Sequence, residues 1–166
     1  MTDIHVFTTG GTIDKIYFDR LSDFEVGAPQ VGELLTDANV SFSWDITALM
    51  RKDSLDIDDG DRDAIAAAVE DCDASHVLVT HGTDTMLATA ERLAGIEGKT
   101  IVLTGSMQPA AQRDSDAVFN IGFAIGVLRA ETPGVYVAIN GQVFHPGSAR
   151  KNRAQNRFEV AAAEGD

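Results

Sequence analysis

Short runs of β-branched and other apolar residues alternate along the chain with longer stretches of helical period, and this alternation limits the fold more than any other feature. Strands are expected over residues 4–8, 40–49, 76–80, 100–104 and 135–140. Helices are expected over 31–36, 59–70, 84–93 and 115–129, the second capped by Asp58 or Asp59. Strand and helix in alternation mean βαβ units, hence an α/β protein whose mostly parallel β-sheet is flanked by helices in three layers. The middle strands carry unbroken apolar runs, as strands buried on both faces do. Two segments show neither period, 14–29 and 141–166, and are read as functional loops. In the last expected helix, 115–129, Gly122 and Gly126 stand one turn apart and are read as a place where the helix packs closely on the sheet.

A chain of 166 residues fits one domain, 1–166, with 14–29 as a lid and 160–166 as a flexible tail, its last residues read as a helix fraying into solvent. Acidic residues outnumber Lys and Arg by 26 to 13. The resulting field repels phosphate backbones and anionic bilayers, so neither nucleic acid nor membrane is an expected partner. Ten of these acids lie between Asp45 and Asp73 and are expected to coat a solvated face. The local sign reverses at Arg150, Lys151, Arg153 and Arg157. A single cysteine, Cys72, allows no internal disulfide and suits a packing role. With no signal segment or spanning run, a soluble cytoplasmic protein is expected.

Chemistry is suggested at two strand ends. Thr8-Thr9-Gly10-Gly11-Thr12-Ile13 closes the first expected strand, and two glycines let the backbone turn and present Thr12 at the carboxyl edge of the sheet. Thr80-His81-Gly82-Thr83-Asp84-Thr85 closes the third, with small polar residues placed to cap the following helix and its amides placed to hold an anion. Capping explains half of the second motif; it does not explain why two strands end in the same kind of turn. The four histidines show no metal-binding spacing, and the glycine turns lack the signatures of phosphate or dinucleotide sites, so no metal or cofactor is expected.

Together the two motifs resemble those of the bacterial-type L-asparaginase family, and the likeness extends to Asp53-Ser54-Leu55-Asp56, Gly105-Ser106-Met107-Gln108-Pro109 and Phe119-Asn120. It spans nearly the whole chain but only the family's N-terminal domain. The resemblance implies an amidohydrolase that releases ammonia from L-asparagine through a threonine nucleophile and an acyl-enzyme intermediate. It implies Thr12 as that nucleophile, Tyr17 beside it, and Thr83, Asp84 and Lys151 as a second cluster across the substrate. Ser54 then binds the α-carboxylate, Asp84 the α-amino group, and Gly11, Asp53, Gly82 and Ser106 complete the substrate-binding set, Ser106 through its main chain. Leu55 stands where the family commonly has a polar side chain. The family's second domain helps complete a neighbouring site, so a homo-oligomer, dimer or tetramer, is expected here. Two other readings stay open: a module that binds or senses asparagine or aspartate with little turnover, and an amidase for another small amide or one that feeds ammonia to a partner.

Overall fold

A computed structural model describes residues 2–19 and 23–162. Among these described residues ten strands and four α-helices follow one another as β1 (Ile4–Gly10), β2 (Lys15–Phe18), β3 (Asp23–Val26), α1 (Val31–Asp37), β4 (Trp44–Lys52), α2 (Asp59–Asp71), β5 (His76–Thr80), α3 (Met86–Leu93), β6 (Thr100–Thr104), α4 (Ala117–Ala130), β7 (Gly134–Ile139), β8 (Gln142–Phe144), β9 (Ala149–Asn152) and β10 (Arg157–Val160). Six strands form the central sheet in the order β4-β1-β5-β6-β7-β8, parallel except for β8, which runs antiparallel to β7. The mostly parallel, helix-flanked architecture expected from the alternation is therefore the observed one.

The sheet separates two apolar layers. On one side Phe7, Val77, Val79, Ile101 and Leu103 meet Ile65 and Val69 of α2 and Met86, Ala90 and Leu93 of α3. On the other, Ile4, Val6, Leu78 and Val102 meet Val31 and Leu35 of α1 and Ile121, Ala124 and Leu128 of α4. Neighbours in sequence thus go to opposite faces, as the two-residue period of a strand requires. Every residue of β6 is buried, which is why its sequence reads as an unbroken apolar run. Asp58 caps α2 by accepting from the Asp61 amide at 2.9 Å, while Asp61 accepts from the Asp58 amide at 3.1 Å. Of the ten acids from Asp45 to Asp73, eight are exposed; Asp53 and Asp61 are half-buried and paired with Lys15 and Lys52. No helix among the described residues is long and apolar enough to cross a membrane.

Several expectations need correction. The segment 14–29 is not an irregular loop but holds the antiparallel hairpin β2–β3, tied at its base where the Gly27 amide donates to the Asp14 carbonyl at 2.8 Å; residues 20–22 lie outside the described residues. The segment 141–166 holds β8 and the β9–β10 hairpin. No helix forms at 160–162, and the rest of the expected tail, 163–166, lies outside the described residues. Gly122 and Gly126 face outward, with no atom within 4 Å of where a Cβ would stand, so they do not serve close packing on the sheet.

Candidate active site

Strand order places the two glycine turns side by side. Among the strands of the central sheet, the next in sequence after β1 is its neighbour on one flank, β4, and then its neighbour on the other, β5. The order therefore reverses between β1 and β5, and the crevice outside their carboxyl ends is where α/β sheets hold ligands. Thr8 and Thr80 are register partners on these strands, so the chain leaves both at the same height. The turns then touch. A Cβ on Gly11, whose φ is 82°, would lie 2.5 Å from the Gly82 Cα, and one on Gly82 would lie 2.5 Å from the Ser54 Cβ. Only glycine fits either position, the first for its left-handed backbone as well. Gly11, Gly82 and Ser54 thus form one contiguous floor, with Thr12 and Thr83 each one residue beyond a glycine of it.

The Ser54 end comes from β4. Gly11 donates its amide to the Lys52 carbonyl at 2.8 Å, and Asp53 starts a 3-10 turn by accepting from the Leu55 amide at 3.2 Å. Ser54 is buried and its Oγ accepts from the Asp84 amide at 3.2 Å, which leaves its own proton to donate. Thr85 Oγ1 donates to the Ser54 carbonyl at 2.6 Å. This overturns the capping expectation: α3 begins at Met86, no side chain caps it, and the polar residues ahead of it bind Ser54 and Lys151 instead.

Lys151 arrives from the opposite direction on β9. Its Nζ donates to Thr83 Oγ1 at 2.7 Å and to Asp84 Oδ1 at 2.9 Å. It is held there by its register partner Phe158, which is fully buried, packs 6.4 Å from the Phe144 ring centre and donates its amide to Asn140 Oδ1 at 2.9 Å. Burial works to raise the Asp84 pKa, but the hydrogen bonds and charges of Lys151 and Arg153 overcome it and hold the carboxyl below its usual range. Asp53 is likewise held low, by its bond to Lys15 at 2.8 Å.

Two buried side chains fix the turns from beneath. Burial pushes His81 down to about 4, so it is neutral near pH 7. Its Nδ1 must then donate to the Gly82 carbonyl at 2.8 Å, and Nε2 accepts from Thr89 Oγ1 at 2.8 Å. Asn120 joins three loops: its Nδ2 donates to the Gly105 carbonyl at 2.9 Å and to Asp116 at 3.0 Å, and its Oδ1 accepts from the Asn140 amide at 3.2 Å. Gly105 lies so close to the His81 carbonyl that a Cβ would come within 2.2 Å of it, which sets Ser106 just past the end of β6, next to the second turn.

The structure therefore brings together Gly11, Thr12, Asp53, Ser54, Gly82, Thr83, Asp84 and Lys151. It does not bring Tyr17 to them. Tyr17 lies on β2, 54% exposed, its ring 5.4 Å from Phe24 and its hydroxyl without a hydrogen bond among the described residues. The Ser106 hydroxyl donates its proton to the Gln108 carbonyl, so that proton is not free for a ligand. Sequence reasoning missed Arg153, whose Nη2 donates to Asp84 Oδ1 at 3.1 Å, and Lys15, the partner of Asp53. Arg153 lies in the turn just past β9, where no strand period places it, so the sequence carried only its nearness to Lys151 in the basic cluster. Among the described residues no group of three or more His, Cys, Asp or Glu side chains is placed to hold a metal ion.

With this geometry in place, known proteins give the context. The family model described as "Asparaginase, N-terminal" matches residues 3–164. The chain is 28% identical to an L-asparaginase of Bacillus licheniformis over 169 aligned positions, covering 92% of this chain and 51% of that protein. It is 32% identical to a glutaminase-asparaginase of Pseudomonas aeruginosa over 92 positions, 52% of this chain and 25% of that one. The solved thermostable L-asparaginase from Thermococcus kodakarensis superposes with a TM-score of 0.81 at 27% identity, over 95% of this chain and 50% of its own. The chain thus spans about half the length of the relatives it matches along its whole extent.

Proposed function

The chain belongs to the asparaginase family, matching the model of its N-terminal domain, and on that premise we propose that it hydrolyses the side-chain amide of L-asparagine or a close relative. The observation that carries this reading is the contact of the two turns at Gly11 and Gly82, with an ammonium bonded to one of the two hydroxyls that follow. Thr12 Oγ attacks the amide carbon, and the electron pair of the carbonyl moves onto oxygen. Main-chain amides fixed by the His81 and Asn120 contacts are the donors on hand for that charge, and preorganised donors of this kind supply a large share of catalysis in acyl transfer. The tetrahedral species expels its nitrogen, which takes the proton lost by Thr12 and leaves as ammonia. Water then opens the threonyl ester, giving the acid and restoring the hydroxyl.

Thr83 and Lys151 relay or stabilise the moving proton from the other side of the substrate, since Nζ sits 2.7 Å from Thr83 Oγ1. Ser54 donates to the substrate carboxylate, and Asp84 faces the substituent on its α-carbon. The β2–β3 hairpin closes over the occupied site and carries Tyr17 toward Thr12, a motion for which its exposure and its attachment directly after Asp14 make it suited. The unit 1–166 acts as one domain, and copies associate through apolar surface such as Phe18, Phe24, Val118 and Phe119, all exposed.

Ammonia release from asparagine, glutamine and a panel of simple amides tests the reading. Turnover lost in both Thr12→Ala and Thr83→Ala, with binding of the acid product retained, supports it. Binding of aspartate by the parent protein with no ammonia from any amide would instead identify a sensing module.

A further inference from the structure

Asp84 carries two cations on one oxygen. Its Oδ1 accepts from Lys151 Nζ at 2.9 Å and from Arg153 Nη2 at 3.1 Å. Arg153 is not a wandering tail residue. It opens the β9–β10 turn, which is closed by the Asn156 amide on the Arg153 carbonyl at 3.4 Å and by the Gln155 amide on Asn152 Oδ1 at 3.1 Å. The turn is anchored in its turn by buried Phe158. The turn thus sets the Cα of Arg153, and the guanidinium, 72% exposed, reaches Asp84 from the solvent side through that one bond.

The local charge follows by counting. Asp84 and Asp53 face Lys151, Arg153 and Lys15, while Arg150 is matched by Glu159 at 2.7 Å. Among these five groups the cations outnumber the carboxylates by one, and the surplus falls on Asp84, which alone carries two. A zwitterionic amino-acid amide would set its ammonium against a carboxylate already neutralised twice over, beside two like charges. An amide carrying a carboxylate and no ammonium meets no such penalty, and its anion satisfies the excess charge. Arg153 can greet it with donors left over, since guanidinium has five and one is recorded on Asp84.

We propose that Arg153 is a specificity-determining residue that turns the Asp84 subsite away from α-ammonium groups, so that the preferred substrate class is the monoamide of a short dicarboxylic acid lacking an α-amino group. The proposal rests on the amidohydrolase reading above and refines which amide the same site takes. Its test compares kcat/KM for succinamate and L-asparagine, which differ only in the α-ammonium, in the parent protein and in Arg153→Ala. The expected result is at least a tenfold preference for succinamate in the parent, with the ratio moved at least tenfold toward L-asparagine by Arg153→Ala, mostly through KM. Any smaller preference, or a ratio that Arg153→Ala leaves unchanged, overturns it.

Calorimetric binding of succinate and L-aspartate asks the same question without turnover. Tighter succinate binding that Arg153→Ala reverses, in a protein releasing no ammonia from any amide, upholds the subsite and sinks the amidohydrolase reading alone. Equal binding of the two, or binding of neither, overturns the subsite.

Discussion

Thr83 shares its hydroxyl with an ammonium at 2.7 Å, whereas Thr12 makes no side-chain hydrogen bond among the described residues. Two threonines of one pocket thus hold different electrostatic positions, which is why the first is read as attacking and the second as relaying. Asp14, two residues on from Thr12, is the other unusual group. It is buried, its Oδ1 accepts from the Gln30 amide at 2.9 Å, and burial pushes its carboxyl up to about 6. The folded state then binds this proton more tightly than the unfolded chain, so stability falls as pH rises from about 4 through about 6. Asp14→Asn is expected to flatten that fall and to raise stability at pH 7 by an amount on the order of 1–3 kcal/mol. Urea unfolding of both proteins at pH 4 and pH 7 measures it, and parallel pH slopes would contradict the assignment. The same bond ties the base of the hairpin to the start of α1, so the variant also reports whether lid and nucleophile share a support.

Among the elements, the β9–β10 hairpin is the one whose loss separates folding from chemistry. Phe158→Ala removes a fully buried ring and is expected to cost ~3–5 kcal/mol of stability; in whatever fraction stays folded, Lys151 loses its backing and activity falls further than stability alone explains. Asn120→Leu breaks bonds to Gly105, Asp116 and Asn140 at once and is expected to cost ~2–4 kcal/mol while loosening the Ser106 turn. Thermal unfolding scored beside kcat checks both. The central strands were legible residue by residue at 76–80 and 100–104 because buried β-branched runs carry no competing period. The hairpins were not legible. Ala149–Asn152 is charged and short, and what makes it a strand is remote: Phe158 in the core and its amide on Asn140. The start of α3 was misplaced for a related reason, since Thr85 spends its hydroxyl on Ser54, 31 residues away in sequence. Site residues carried by the two turns could be found from strand ends alone; Lys151 was reached through family likeness, and Arg153 through neither.

At the scale of the whole molecule, a net charge of −13 sets a repulsive background against which the basic β9–β10 turn stands out. Screening relieves that repulsion, so the melting temperature is expected to rise by several degrees between low salt and about 0.5 M NaCl; a fall would mean that the site's ion pairs outweigh the surface field. The account as a whole depends on Thr12 becoming acylated. Acid-quenching the protein during turnover of its best amide and mapping the product by peptide mass spectrometry reads this directly. An acyl group found on Thr12, and absent from Thr12→Ala, is the result expected; an acyl group on Thr83 or elsewhere with Thr12 unmodified, or full activity in Thr12→Ala, would contradict it.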